Sequence, residues 1–120
     1  MLVVDDDRGV RRLTARMLRA QGYQVLEAGT GMEALHTLKS DPSIRLVVTD
    51  IVMPEMHGLD LADRALALTP QVGIVLMTGH AHELTDQLEA RDSRIPLLLK
   101  PFTAEQLVAK VRDALGEGRH

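Results

Sequence analysis

The 120-residue sequence contains no cysteine and no tryptophan, and its only aromatic rings besides histidine are Tyr23 and Phe102. Without cysteine, disulfide bonds and thiolate metal sites are excluded, and the composition fits a reducing compartment. An aromatic content of 2% disfavours a surface that stacks nucleic acid bases or sugars. The hydrophobic residues, 45% of the chain, must therefore build an aliphatic core.

The sequence also lacks a strong net charge and a long apolar run. A formal charge of −3 gives no reason to expect nucleic acid or an anionic membrane surface as a partner. No apolar run approaches the roughly 18 residues that cross a bilayer, and no signal peptide is recognisable. We therefore expect one cytoplasmic domain without membrane contact. Because Met1 falls almost directly on the first apolar run, we expect this domain to come from a longer chain.

Short apolar runs alternate with amphipathic segments along the whole chain. The pattern predicts five strands, over residues 2–4, 23–28, 46–49, 72–77 and 96–99. It predicts a helix after each strand, over residues 8–20, 30–40, 59–68, 81–90 and 103–115. Asp7 is placed to cap the first of these helices. Thr30 with Glu33, and Thr103 with Gln106, have the form of capping boxes.

Five strand–helix pairs with continuously apolar strands indicate an α/β fold. Strands buried on both faces are typical of parallel sheets. Right-handed crossovers then predict an open, doubly wound five-stranded parallel sheet with helices on both sides. We expect this domain to span residues 1–115 and residues 116–120 to form a frayed C-terminal tail.

Polar residues follow the predicted strands at the edge where such sheets bind ligands. They are Asp5, Asp6 and Asp7 after the first strand, Asp50 after the third, Thr78 after the fourth and Lys100 after the fifth. Neighbouring carboxylates repel one another unless a cation lies among them, and an all-oxygen set suits Mg²⁺ or Mn²⁺. A hydroxyl and an ammonium would complete a phosphoryl site, in which Asp50 would be the nucleophile.

Four motifs carry a family resemblance. VVDDD, VVTDIVMPEMHG, LMTGH and LLLKPF occur in the order found in bacterial response-regulator receiver domains, and the resemblance covers nearly the whole chain. It implies a flavodoxin-like strand order 2-1-3-4-5. It also implies a place in a two-component system or phosphorelay, in which the domain takes a phosphoryl group from the phosphohistidine of a histidine kinase. No independent enzyme activity is expected beyond self-catalysed phosphorylation and dephosphorylation of Asp50.

The resemblance assigns a role to each matching position. It implies Asp50 as phosphoacceptor, Thr78 as switch hydroxyl and Lys100 as phosphate-binding lysine. The metal ligands would be Asp5, Asp6, Asp50 and the backbone carbonyl of Val52. It also implies a cis peptide bond between Lys100 and Pro101.

The chain departs from the family at Leu97, where receivers usually have tyrosine or phenylalanine. Together with the last two motifs, this residue resembles receivers fused to hybrid histidine kinases. The expected partners are a histidine kinase, in the same polypeptide or a separate one, and a histidine phosphotransfer protein. The first helix commonly docks on the kinase in this family. Here that helix has five arginines, which form either such a partner surface or an ordinary solvated face (Arg8, Arg11, Arg12, Arg16 and Arg19).

Other functions fit these residues less well. A metal-dependent phosphohydrolase with an aspartyl nucleophile, of the haloacid-dehalogenase type, would need a general acid at the position of Val52. A receiver-like domain that only binds partners would not need Asp5, Asp6, Asp50 and Lys100. Residues 29–34 match the dinucleotide pattern G-x-G-x-x-A, but helix capping explains them adequately. The five histidines show no supported metal-ligand spacing.

Overall fold

The structure, a computed structural model, describes residues 1–79 and 95–116. It contains five strands: β1 (Leu2–Val4), β2 (Leu26–Ala28), β3 (Leu46–Asp50), β4 (Gly73–Thr78) and β5 (Leu97–Leu99). Its helices in these ranges are α1 (Arg8–Arg19), α2 (Gly31–Ser40), α3 (Gly58–Leu68) and α4 (Ala104–Leu115). The helix predicted over residues 81–90, the histidines at 80, 82 and 120 and most of the predicted tail lie outside the described residues.

All five strands are parallel and lie in the order β2-β1-β3-β4-β5, which confirms the predicted fold and strand order. The order reverses between β1 and β3, so a crevice is expected at their carboxyl ends. One apolar layer packs under α2 and α3 and includes Leu38 and Leu61. The opposite layer packs under α1 and α4 and includes Leu18 and Leu107. Helices therefore cover both faces of the sheet.

Strand β2 is shorter than predicted and begins at Leu26, which pairs with Leu2 of β1. Residues 23–25 were expected to be part of the strand. The β1 ladder begins where Leu2 pairs with Leu26, and ahead of it the N-terminal ammonium of Met1 donates to the carbonyl of Gln24 at 2.8 Å. Strands β3 and β4 instead extend one residue further than predicted, so that Asp50 and Thr78 are their last residues.

The helix caps predicted from the sequence form as expected, except at the start of α2. Asp7 caps α1 by accepting from the amides of Gly9 and Val10, and the Thr103–Gln106 capping box is complete. The capping box predicted for Thr30 and Glu33 is only half formed. The Thr30 hydroxyl accepts from the Glu33 amide, but the Glu33 carboxylate accepts from the amide of Gly29, at 3.4 Å.

Helix packing explains the glycine at position 31 of the dinucleotide-like pattern, and no bound nucleotide is needed for it. A Cβ atom at this position would lie 2.7 Å from the sulfur of Met56 and 2.9 Å from its Cβ. Both distances are shorter than van der Waals contact, so only glycine lets the start of α2 pack against the loop after β3. The second glycine of the pattern thus serves helix packing.

Candidate functional site

Three aspartates meet at the carboxyl ends of β1 and β3. One carboxylate oxygen each from Asp5, Asp6 and Asp50 can be chosen so that all three lie within 4.8 Å of one another. Asp5 is fully buried, Asp50 is 9% exposed, and Asp6 is exposed. This is the only such group of metal-ligating side chains in residues 1–79 and 95–116, and no histidine belongs to it.

Asp5 is held by a partner at each of its polar groups. Its amide donates to the carbonyl of Ala28 at 3.2 Å, and its own carbonyl accepts from the Arg11 guanidinium at 3.0 Å. Its carboxylate accepts from the amide of Asp7 at 2.9 Å and from the ammonium of Lys100 at 3.0 Å. A buried charge is tolerated only with such partners, so Asp5 is a rigid part of the site.

Lys100 joins the two buried carboxylates. Its Nζ lies 3.0 Å from Asp5 Oδ2 and 3.4 Å from Asp50 Oδ2. Burial raises the pKa of Asp50; the positive charge of Lys100 opposes this rise, and the negative charge of Asp5 adds to it. Burial alone would lower the pKa of Lys100, but its hydrogen bond to Asp5 and the charges of Asp5 and Asp50 raise it. Lys100 is therefore a fixed cation beside Asp50.

The remaining predicted residues lie at the same edge. Thr78 is 1% exposed and ends β4, and its carbonyl accepts from the amide of Lys100 at 2.8 Å. The Lys100–Pro101 peptide bond is cis, as predicted. Val52 follows Asp50 by two residues in the loop before α3, and its side chain is 55% exposed. The structure thus brings all six predicted site residues to the carboxyl edge of the sheet.

The loop between β3 and α3 is held by two hydrogen bonds, one just after the end of β3 and one at the start of α2. Gly58 donates to the carbonyl of Ile51 at 2.6 Å, and a Cβ on Gly58 would lie 2.3 Å from the Asp50 carbonyl oxygen. The carboxylate of Glu55 accepts from the amide of Gly31 at 2.9 Å, at the N-terminus of α2. That contact is favoured by the helix dipole.

Sequence reasoning missed Arg11, Glu55 and Gly58 as residues that shape the site. The MPEMHG motif that contains Glu55 and Gly58 was recognised, but their contacts depend on how the loop folds back on α2 and β3. Arg11 was grouped with the other arginines of α1. Nothing in the local sequence distinguishes it from them, because its partners, the carbonyl of Asp5 and the carboxylate of Glu27, are set by tertiary packing.

The donor set fits a hard divalent cation. Three carboxylates converge, and no nitrogen or sulfur ligand joins them among the described residues. The ammonium of Lys100 already lies between two of these carboxylates, which shows that this edge accommodates positive charge. Mg²⁺ is usually bound by one or two protein carboxylates while it retains several waters, and an exposed Asp6 leaves room for them.

Comparison with known proteins identifies the family. A family model described as response regulator receiver domain matches residues 1–112. The chain belongs to the response regulator receiver domains. It is 33% identical over 116 residues to the sensor kinase CckA of Brucella abortus (strain 2308), and 36% identical over 117 residues to the response regulator receiver protein CpdR of the same organism.

The coverage of these matches differs. Each covers 96% of this chain, which spans 12% of CckA and 95% of CpdR. Among solved structures, a receiver domain from the hybrid histidine kinase CckA has a TM-score of 0.79 and 30% identity, and the match covers 95% of this chain and 96% of that one. The chain is thus a receiver of two-component signalling related to a hybrid-kinase receiver and to other response regulators.

Membership of this family favours the receiver over the phosphohydrolase alternative. Receiver domains of two-component systems have histidine kinases as partners. They generally bind Mg²⁺ through an acidic cluster, and Asp5, Asp6 and Asp50 form such a cluster here. None of the helices in the described ranges has both the length and the apolarity needed to cross a membrane.

Proposed function

We propose that this receiver accepts a phosphoryl group from the phosphohistidine of a histidine kinase onto the carboxylate of Asp50. One observation carries the proposal. Asp50 is almost fully buried at the end of β3, with the ammonium of Lys100 at 3.4 Å and the carboxylates of Asp5 and Asp6 in the same crevice. A nucleophilic carboxylate, a fixed cation and a set of hard ligands are the parts that phosphoryl transfer to oxygen requires.

In the transfer, an oxygen of Asp50 attacks phosphorus. The new O–P bond forms as the P–N bond of the phosphohistidine breaks, and the imidazole leaves. Burial raises the pKa of Asp50, which makes its ionised form a more basic nucleophile. Lys100 and the hydroxyl of Thr78 would bind the phosphoryl oxygens.

Asp5, Asp6, Asp50 and the carbonyl of Val52 would hold Mg²⁺, or Mn²⁺ in its place. A bound ion would supply positive charge that neutralises the negative charge developing on the phosphoryl oxygens.

The proposed kinase-binding surface is the groove between α1 and the chain before α4. This groove of about 300 Å³ is lined by Val10, Leu13, Met17, Pro101 and Phe102, and Lys100 is also among its lining residues. Leu13 is 53% exposed, and arginines of α1 lie beside it. An apolar groove that shares Lys100 with the site would take up apolar side chains from the helix that presents a phosphohistidine.

The setting of the domain is part of the proposal. Similarity to the CckA receiver and leucine at position 97 support the receiver part of a hybrid histidine kinase, and similarity to CpdR supports a stand-alone response regulator. In both settings the proposed second partner is a histidine phosphotransfer protein, and we place the domain in the cytoplasm, with residues 1–115 as the folded unit.

Labelling with a small phosphodonor tests Asp50 directly. Incubation with acetyl phosphate and Mg²⁺ should add one phosphoryl group, detected by mass spectrometry and removed by hydroxylamine, because acyl phosphates react with this nucleophile. Asp50→Asn should abolish the labelling, whereas the matched variant Asp60→Asn in α3 should retain it. Undiminished labelling of the Asp50→Asn protein would refute the assignment of the nucleophile.

A further inference from the structure

Arg11 differs from its neighbours on α1. Its side chain is only 18% exposed, whereas Arg12 and Arg16 are exposed. Its Nη1 donates to the backbone carbonyl of Asp5 at 3.0 Å, and its Nε lies 3.4 Å from Oε1 of Glu27. Arg11 therefore connects α1 to the end of β1 and to the edge strand β2.

The bond from Arg11 fixes the peptide unit that leads to Asp6. A peptide unit is planar, so fixing the carbonyl of Asp5 also fixes the direction of the Asp6 amide. The other polar groups of Asp5 bind Ala28, Asp7 and Lys100, and none of those contacts acts on this carbonyl. The side chain of Asp6 itself makes no hydrogen bond or ion pair with any described residue. Its position depends on the backbone that precedes it.

The guanidinium of Arg11 is itself held from two sides. A Cβ on Gly29 would lie 3.1 Å from Nη1, so the loop after β2 packs closely against the guanidinium. Glu27, the ion-pair partner of Arg11, has its second oxygen 3.4 Å from Nη1 of Arg19. Nε of Arg11 is buried and has only the ion-pair contact, without hydrogen-bond geometry.

We propose that Arg11 is a positioning residue for the metal site, which holds the Asp5–Asp6 peptide so that the Asp6 carboxylate faces those of Asp5 and Asp50. This inference rests on the proposed function, in which these carboxylates bind Mg²⁺. The charge of Arg11 works against that role, because a cation near the site repels Mg²⁺. Positioning and charge therefore predict opposite effects when Arg11 is neutralised.

A titration with MgCl₂, followed by amide NMR shifts, separates the two effects. Arg11→Gln should weaken Mg²⁺ binding about tenfold, as loss of a residue that orients metal ligands commonly does. Arg12→Gln removes the same charge from the exposed side of the helix and should leave the affinity close to that of the wild type. Arg11→Lys keeps the charge and one donor and should restore part of the affinity. Asp6→Ala gives the reference for loss of a ligand.

Equal or tighter Mg²⁺ binding by Arg11→Gln, with normal binding by the wild type, would overturn this inference and leave the proposed function intact. A wild type that shows no saturable shifts at Asp5, Asp6 and Asp50 would overturn both. If Arg11→Gln does not fold, as judged by the dispersion of its NMR spectrum, Arg11→Lys must still bind Mg²⁺ more weakly than the wild type.

A measurement without metal tests the positioning directly. In metal-free protein, ¹⁵N relaxation should give lower order parameters for the Asp6 and Asp7 amides in Arg11→Gln than in the wild type, and unchanged values in Arg12→Gln. A global loss of stability would not confine the change to these two amides. Unchanged order parameters at Asp6 would overturn the inference.

Discussion

Two aspartates at opposite edges of the same sheet experience opposite electrostatic environments. At the carboxyl edge, Asp50 is nearly buried, and burial raises its pKa. At the amino edge, Asp41 lies beside an open cavity of about 430 Å³ that Met1, Gly22 and Arg45 also line. Hydrogen bonds from the side chain and amide of Ser43 lower the pKa of Asp41. The fold stabilises the charge of one carboxylate and disfavours the charge of the other.

The difference shows where this fold gives up stability for chemistry. An ionised carboxylate at the amino edge is solvated and hydrogen-bonded, as expected of a surface turn. The carboxyl edge instead concentrates Asp5, Asp50, Thr78 and Lys100 with little solvent around them. Such groups are costly to bury, and they are retained where a site uses them.

The largest effect is expected from Gly58→Ala at the carboxyl edge. The added methyl group would lie 2.3 Å from the Asp50 carbonyl oxygen and 2.6 Å from Cα of Ile51, which are backbone atoms that cannot move aside easily. We expect a loss of about 1–3 kcal/mol in the free energy of unfolding, measured by urea denaturation.

Gly22→Ala at the amino edge is the matched control. Gly22 has a φ of 93° and no atom within 4 Å of an added Cβ, so its substitution strains only the local backbone. That strain costs about 1 kcal/mol, and asparagine, which tolerates this conformation, should recover part of it. Recovery by Gly58→Asn would contradict the steric explanation for Gly58.

The next effect is a gain in stability from Asp50→Asn in metal-free protein near neutral pH. The substitution removes a buried charge, and Lys100 keeps its 3.0 Å contact with Asp5. We expect an increase of about 1 kcal/mol in the free energy of unfolding. Adding Mg²⁺ should stabilise the wild type more than the variant, because a ligand stabilises the state that binds it.

The gain should depend on pH with a defined sign. The pKa of Asp50 is higher in the folded than in the unfolded chain, so the unfolded chain loses this proton first as the pH rises. The wild type therefore loses stability relative to Asp50→Asn as the pH increases from 3.8, the ordinary value, through the higher pKa of the folded state. A difference between the two proteins that does not change over this range would contradict the assignment.

The smallest effect should have the opposite sign. Asp41→Asn removes a carboxylate whose charge is favoured by hydrogen bonds from Ser43, so the melting temperature should fall slightly near neutral pH. Because the folded-state pKa is below 3.8, this loss should disappear as the pH is lowered through that pKa. A melting temperature that rises in Asp41→Asn, as in Asp50→Asn, would remove the contrast between the two edges.

The sequence predicts the parallel sheet and the residues at its carboxyl edge because both follow from local pattern, whereas the strand order was implied by the family resemblance. Apolar runs, caps such as Asp7 and the residues directly after each run are legible without tertiary contacts. The short β2 was not predictable in the same way. Its first paired residue, Leu26, is set by a tertiary contact with β1 that local pattern does not show.

The contacts that tune the site also require the folded chain. Five arginines on α1 have similar local sequence, and only packing against β1 and β2 distinguishes Arg11 from Arg12. Likewise, the Glu33 carboxylate accepts from the amide of Gly29 and not from that of Thr30, and this depends on the path of the turn after β2. Specific hydrogen bonds between side chains and backbone are decided by distances of a few tenths of an ångström.

The ion pair between Asp5 and Lys100 joins residues 95 positions apart in the chain. During synthesis on the ribosome, the acidic residues of the crevice emerge first, and the lysine emerges only when nearly the whole domain has been translated. A nascent chain shorter than this holds carboxylates without their internal counter-ion. The buried carboxylates therefore gain this internal counter-ion only after β5 has joined the sheet.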